Sequence, residues 1–224
     1  MGFTIGGIRD LRPGARRRGR APECTVVAEY TGLYGWDVVP GARARTVPGD
    51  TGVHCSCGAP RCASPGAHPL GRAPLVPAGS TLREVAGAWE GMAGAAVLLP
   101  VGRSFDVIEV AETAGRQALL RMERMGLPLG PVAVTPHARA QFLVAPGASA
   151  ELPDLLYRMG WDGARLDLRC VPPGGHITAP PSDLAGLGPV RWLRPPELDT
   201  AVRPPHARLL LGILAYVCHR SAVR

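Results

Sequence analysis

The run Ala95-Ala-Val-Leu-Leu-Pro100-Val-Gly-Arg-Ser-Phe105-Asp-Val-Ile-Glu109-Val-Ala111-Glu-Thr-Ala114-Gly-Arg-Gln-Ala-Leu-Leu120-Arg-Met-Glu-Arg-Met125 decides the fold class. Two apolar stretches of strand length, Ala95–Leu99 and Phe105–Val110, are parted by Pro100 and Gly102, which punctuate strands. The strand period of two puts Phe105, Val107, Glu109 and Ala111 on one face and Asp106, Ile108 and Val110 on the other. Ala114–Met125 then switches to a helical period, with Leu119, Leu120, Met122 and Met125 as its apolar set.

Working outward, the same mixture recurs. Helices are predicted over Glu23–Tyr34, over Thr81–Glu90 with Ser80 as the N-cap, over Leu152–Met159 and over Ala207–Cys218. Short strands are predicted over Trp36–Val39, Val132–Val134, Gln141–Val144, Leu166–Leu168, His176–Thr178 and Val190–Leu193. This is an α+β chain: one domain over 21–200, with a central mixed or antiparallel sheet flanked by helices. A flexible basic arm (1–20) precedes it and a C-terminal helix (201–224) follows.

At 224 residues and 46% hydrophobic the chain has enough apolar mass for one core. Its net charge is +7, and every basic residue is arginine. Six arginines, including Arg16, Arg17, Arg18 and Arg20, stand against Asp10 in the first 20 residues, so +5 of the +7 sits in the arm. Such an arm attracts phosphates by counterion release, and the body is close to neutral. The longest apolar run, Leu209–Cys218, is about half of what a membrane span needs, and no secretory signal opens the chain. Cysteines serving as ligands and core thiols fit a reducing cytoplasm.

Residues 41–79 form a long Gly/Pro-rich loop, and a loop that long needs something to tie it down. It contains Cys55, Cys57, Cys62 and His68, spaced C-x-C-x4-C-x5-H. Three thiols and one imidazole suit a tetrahedral Zn²⁺. Four protein ligands would fill the site, making it a structural staple rather than a catalytic centre. Acidic residues on two neighbouring strands, Glu109 and Asp167, are candidates for a second, oxygen-ligated divalent ion.

The order of these motifs resembles one known family. A helix leads to Gly35-Trp-Asp-Val-Val-Pro40, then to the cysteines and Pro65-Gly-Ala-His68-Pro69, with Trp89 closing the next helix. Ser104–Val110, Val134-Thr-Pro136, Asp167-Leu-Arg169 and Gly175-His-Ile-Thr-Ala-Pro-Pro-Ser182 follow. From about Ala28 to Trp192 this resembles the bifunctional DNA primase/polymerase N-terminal (Prim-Pol) domain of the archaeo-eukaryotic primase superfamily. The resemblance implies nucleotidyl transfer supported by Mg²⁺ or Mn²⁺, with DNA and nucleotides as partners. It implies a carboxylate pair at Glu109-Val-Ala111, a third carboxylate at Asp167 with Arg169 nearby, and a phosphate-binding histidine between Thr135 and Phe142.

Three positions depart from the family pattern: Ala111 replaces the second carboxylate, Gln141 the histidine, and Ala67 a loop lysine. Losing one ligand of a two-metal site costs on the order of 10³-fold in rate. Three readings stay open. One is a degenerate Prim-Pol domain that binds nucleic acid or nucleotides with little or no catalysis. The second is an active primase/polymerase with a shifted set, Glu109, Glu112 and Asp167, and with His137, Arg139, Gln141 and Arg169 on the nucleotide. The third is a protein-interaction module that binds no nucleic acid.

Overall fold

The computed structural model describes residues 22–46, 52–71, 73–161 and 163–222. The arm lies outside them. Among the described residues the elements run in the order α1 (Pro22–Gly32), β1 (Val39–Gly41), β2 (Ala44–Thr46), β3 (Val53–Cys55), α2 (Leu82–Ala88), β4 (Ala96–Pro100), β5 (Asp106–Ala111), α3 (Glu112–Arg124), β6 (Val132–Thr135), β7 (Arg139–Val144), α4 (Ala148–Arg158), β8 (Leu168–Val171), β9 (His176–Thr178), β10 (Arg191–Arg194), α5 (Leu198–Val202) and α6 (Ala207–Ala222). The chain is α+β as its periodicities predict.

Among the described residues all strand pairing is antiparallel. A five-stranded sheet runs β10-β6-β7-β5-β8, a three-stranded sheet β1-β4-β9, and β2-β3 forms a separate hairpin. The two faces of β5 enter different cores, as its period of two requires. Phe105 and Val107 join Val97, Leu99 and Ile177 of the small sheet and Val27, Tyr30, Trp36, Val85 and Trp89 around α1 and α2. Ile108 and Val110 join Ala118, Leu119 and Met122 of α3 and Leu210, Leu214 and Val217 of α6. Gly115 makes the second contact close: a Cβ there would lie 2.4 Å from the Ala140 Cβ of β7. Within the apolar Leu209–Cys218 run, Leu210, Leu211, Leu214, Ala215, Val217 and Cys218 are therefore the buried side of α6 packed under the sheet, while Leu209 and Tyr216 are exposed.

Several expectations shift in detail. The cap of α2 is Thr81 rather than Ser80. The Thr81 hydroxyl accepts from the Glu84 amide and the Glu84 carboxylate accepts from the Thr81 amide, a reciprocal capping box that Ser80 is one residue too early to make. The 41–79 loop contains the β2–β3 hairpin and is pinned at Val38–Val76 and Gly41–Pro69. Asp167 lies just before β8 rather than within it.

Leu120 and Met125 are not core residues. Helical spacing turns them outward, 55% and 60% exposed, while Leu119 and Met122 are buried. At the other end of β5, buried Asp106 accepts the amides of Gly147 and Ser149. It thereby satisfies the first turn of α4, whose N-cap Gly147 has no side chain to do so.

Candidate functional site

The face of β5 that feeds the first core ends in polar residues. Register places Glu109 directly opposite Gln141 of β7 and Arg169 of β8. Arg139 stands two residues from Gln141 on β7, opposite Ala111. These cross-strand and diagonal neighbours are within reach of one another, and they meet on a single carboxylate. Glu109 Oε1 accepts from Arg169 Nη2 (2.6 Å), Arg169 Nε (3.0 Å) and Arg139 Nε (3.1 Å). Glu109 Oε2 accepts from Gln141 Nε2 at 3.0 Å. Arg139 also reaches out to Asp167 Oδ2 at 2.6 Å.

Burial grades across this group. Glu109 is buried, Arg139 is 21% exposed, and Arg169 and Asp167 are mostly in solvent. The hydrogen bond from Arg139 holds the Asp167 carboxyl below the usual carboxylate range, against the smaller opposing effect of burial. Two carboxylates and two guanidiniums leave the quartet electrically neutral. Gln141 Oε1 is buried with no hydrogen-bond partner.

Glu109, Gln141, Arg139 and Arg169 floor a cleft of about 500 Å³, which Thr135 and His137 also line; Asp167 stands outside that lining, held to it through Arg139. His137 sits in the β6–β7 turn, where Ala138 adopts a left-handed φ of 55°. The remaining wall is formed by Ala63, Ser64, Pro65 and Ala67 of the long loop and by Leu184 and Ala185. The amide of Ala185 donates to the Pro65 carbonyl (3.0 Å), tying the two wall segments together. Sequence reasoning missed Ser64 and Leu184 as lining residues and quoted Thr135 only within the Val134-Thr-Pro136 motif. The neighbourhood of Ser64 to the cysteines was the one hint at it.

Glu112 takes a different position. It opens α3, pairs with Arg116 one turn on (2.8 Å) and does not line the cleft. Its amide donates to Ala138 O, which closes the β6–β7 turn against the helix start. His176 is half-buried on β9 and also lies off the cleft; burial lowers its pKa.

Cys55, Cys57, Cys62 and His68 converge behind the loop wall. Their ligand atoms lie within 4.8 Å of one another, and His68 Nε2 is 3.4 Å from both Cys55 Sγ and Cys62 Sγ. A zinc tetrahedron with Zn–S of about 2.3 Å and Zn–N of about 2.0 Å has edges of about 3.5 to 3.8 Å, so the four donors fit such an ion. His68 Nδ1 is 2.9 Å from the Pro69 carbonyl. That contact places the ring proton on Nδ1 and leaves the Nε2 lone pair for a metal. Among the described residues this is the only group of three or more His, Cys, Asp or Glu side chains placed to hold a metal. None of the six cysteines is in a disulfide.

The family model for the bifunctional DNA primase/polymerase N-terminal domain matches residues 27–207. The chain belongs to the Prim-Pol family. No curated protein and no solved structure matches it. Among the described residues no helix is long and apolar enough to cross a membrane.

Proposed function

We propose that this Prim-Pol domain binds nucleotides or nucleic acid through the Glu109 cleft and catalyses nucleotidyl transfer weakly or not at all. The observation that carries this reading is the occupancy of Glu109. Both of its oxygens accept from Arg139, Arg169 and Gln141, and Ala111 offers no second carboxylate. A divalent ion at Glu109 would have to displace two guanidiniums and then sit beside them, which the Coulomb term disfavours. A phosphate would instead use the N–H groups of Arg139 and Arg169 that Glu109 and Asp167 leave over, with His137 lining the same cleft, a donor set suited to an anion. Zn²⁺ fits the Cys55–His68 cluster as the staple of the cleft wall, and Arg16, Arg17, Arg18 and Arg20 supply further phosphate contacts from the arm. A protein with four thiol and imidazole ligands held ready for a metal suits a reducing, cytoplasmic setting.

Calorimetry with Mn²⁺ and a deoxynucleoside triphosphate tests the proposal, beside primer extension. The expected result is triphosphate binding that survives chelation of divalent ions, no measurable extension, and Mn²⁺ binding raised at least about tenfold by Ala111→Asp. Deleting residues 1–20 should flatten the salt dependence of DNA binding. Mn²⁺-dependent extension by the natural chain, abolished by Asp167→Ala, would instead establish the active reading with Glu109, Glu112 and Asp167.

A further inference from the structure

On the layer opposite the cleft, α3 and α6 leave a groove of about 660 Å³ between them. Its floor is Leu120, Met125, Tyr216 and Val217. Leu120, Met125 and Tyr216 are 55%, 60% and 37% exposed, although each sits on a helix whose other face is core. Its rim is basic: Arg121, Arg124 and Arg220 are all exposed, and none has a carboxylate within ion-pair distance among the described residues. Arg121 lies 5.0 Å and Arg220 5.9 Å from the Tyr216 ring centroid. Arg220 Nη1 also donates to the Tyr216 hydroxyl, so the cations are gathered over the groove instead of splayed into solvent. The two acids on α3 are engaged elsewhere, Glu112 with Arg116 and Glu123 with Arg194. α6 carries no acid at all.

We infer that the α3–α6 groove docks an acidic amphipathic helix of another protein. A groove between two helices takes apolar side chains repeating at i, i+3/i+4 and i+7, and Leu120, Met125 and Tyr216 offer the floor for them. The rim of three arginines selects glutamate or aspartate on the flanks of that helix. Charge excludes the chain's own arm as occupant, because residues 1–20 carry +5. Nucleic acid is disfavoured because the floor is apolar, whereas nucleic-acid interfaces are polar and phosphate-rich. Arg220 and Arg121 also lower the Tyr216 pKa, which accords with a positive potential over the groove.

Selection of displayed helical peptides on the full chain tests this, with the winners measured by fluorescence anisotropy against Leu120→Asp and against the double variant Arg121→Glu, Arg124→Glu. All three residues are exposed, and unchanged circular dichroism and zinc content would confirm that the variants fold. The expected winners are acidic with apolar residues at the stated spacing. Each variant should weaken them at least about tenfold, and about 0.5 M salt should weaken them further. Three results would overturn the inference: no winner that distinguishes the variants, winners without acidic flanks, or loss in the same variants of single-stranded oligonucleotide binding or of self-association measured by light scattering.

Discussion

The Cys55–His68 cluster and the Glu109 cluster flank the same cleft, and each gathers several polar side chains onto one point. They differ in what surrounds the donors. The cysteine cluster brings soft donors together on a hairpin and loop with little core of their own, and among the described residues no arginine is hydrogen-bonded to them. The Glu109 cluster is fixed by the register of three strands, β7, β5 and the edge strand β8, and its cations are already supplied by Arg139 and Arg169. Proximity of acids or thiols does not make a metal site; the sign of the nearest neighbours does.

The largest effect is expected when the Cys55–His68 cluster is deprived of metal. The purified protein should hold one equivalent of zinc by mass spectrometry. Cys62→Ser or strong chelation should reduce this to none, and trypsin should then cut at Arg61 at least about tenfold faster while the sheet stays folded. Zinc-free protein with an equally protected loop would show that the cluster is not a staple.

A middle-sized effect is expected at Glu109. Glu109→Gln leaves Arg139 and Arg169 without their buried counter-charge and should destabilise the fold by about 1–3 kcal/mol, readable by denaturant titration. The same change should tighten triphosphate binding, because two guanidiniums are released to the ligand. Weaker triphosphate binding would mean that Glu109 works through a metal after all.

The smallest effect belongs to Asp167, a mostly exposed partner of Arg139. Its pKa is depressed in the folded state, so its contribution is present above the unfolded value of about 3.9 and fades as pH falls through the folded value. Asp167→Asn should therefore lower stability at neutral pH by less than about 1 kcal/mol and flatten the acid limb of the stability curve. An unchanged acid limb would show that the Arg139 contact carries no stability.

Much of the fold was legible because β4, β5 and α3 announce their periods without ambiguity. The β2–β3 hairpin was hidden by short strands flanked by Gly and Pro, and α5 by its five-residue length. Leu120 and Met125 were misjudged because an apolar residue in an amphipathic helix counts toward the stripe until the direction of the core is known. At the site, the grouping of Cys55, Cys57, Cys62 and His68 could be read from local spacing alone. The partners of Glu109 could not: Gln141 and Arg169 meet it only through the register of two strand pairs, 32 and 60 residues away in sequence. Arg139 thus looked like a phosphate ligand before it could be seen as a carboxylate's partner.

Strand β5 carries Asp106 toward the start of α4 and Glu109 toward the cleft, one acid on each face. A slip of one residue against either neighbour would turn both acids over. Glu109 would then enter the apolar layer of Ile108, Val110 and α3, and Asp106 would face Val97 and Leu99. Burying either charge without its partners costs several kcal/mol, far more than a slipped pair of valines would. The two acids therefore penalise a slipped alignment of β5. That service would be lost quietly by any redesign that neutralised both of them for stability.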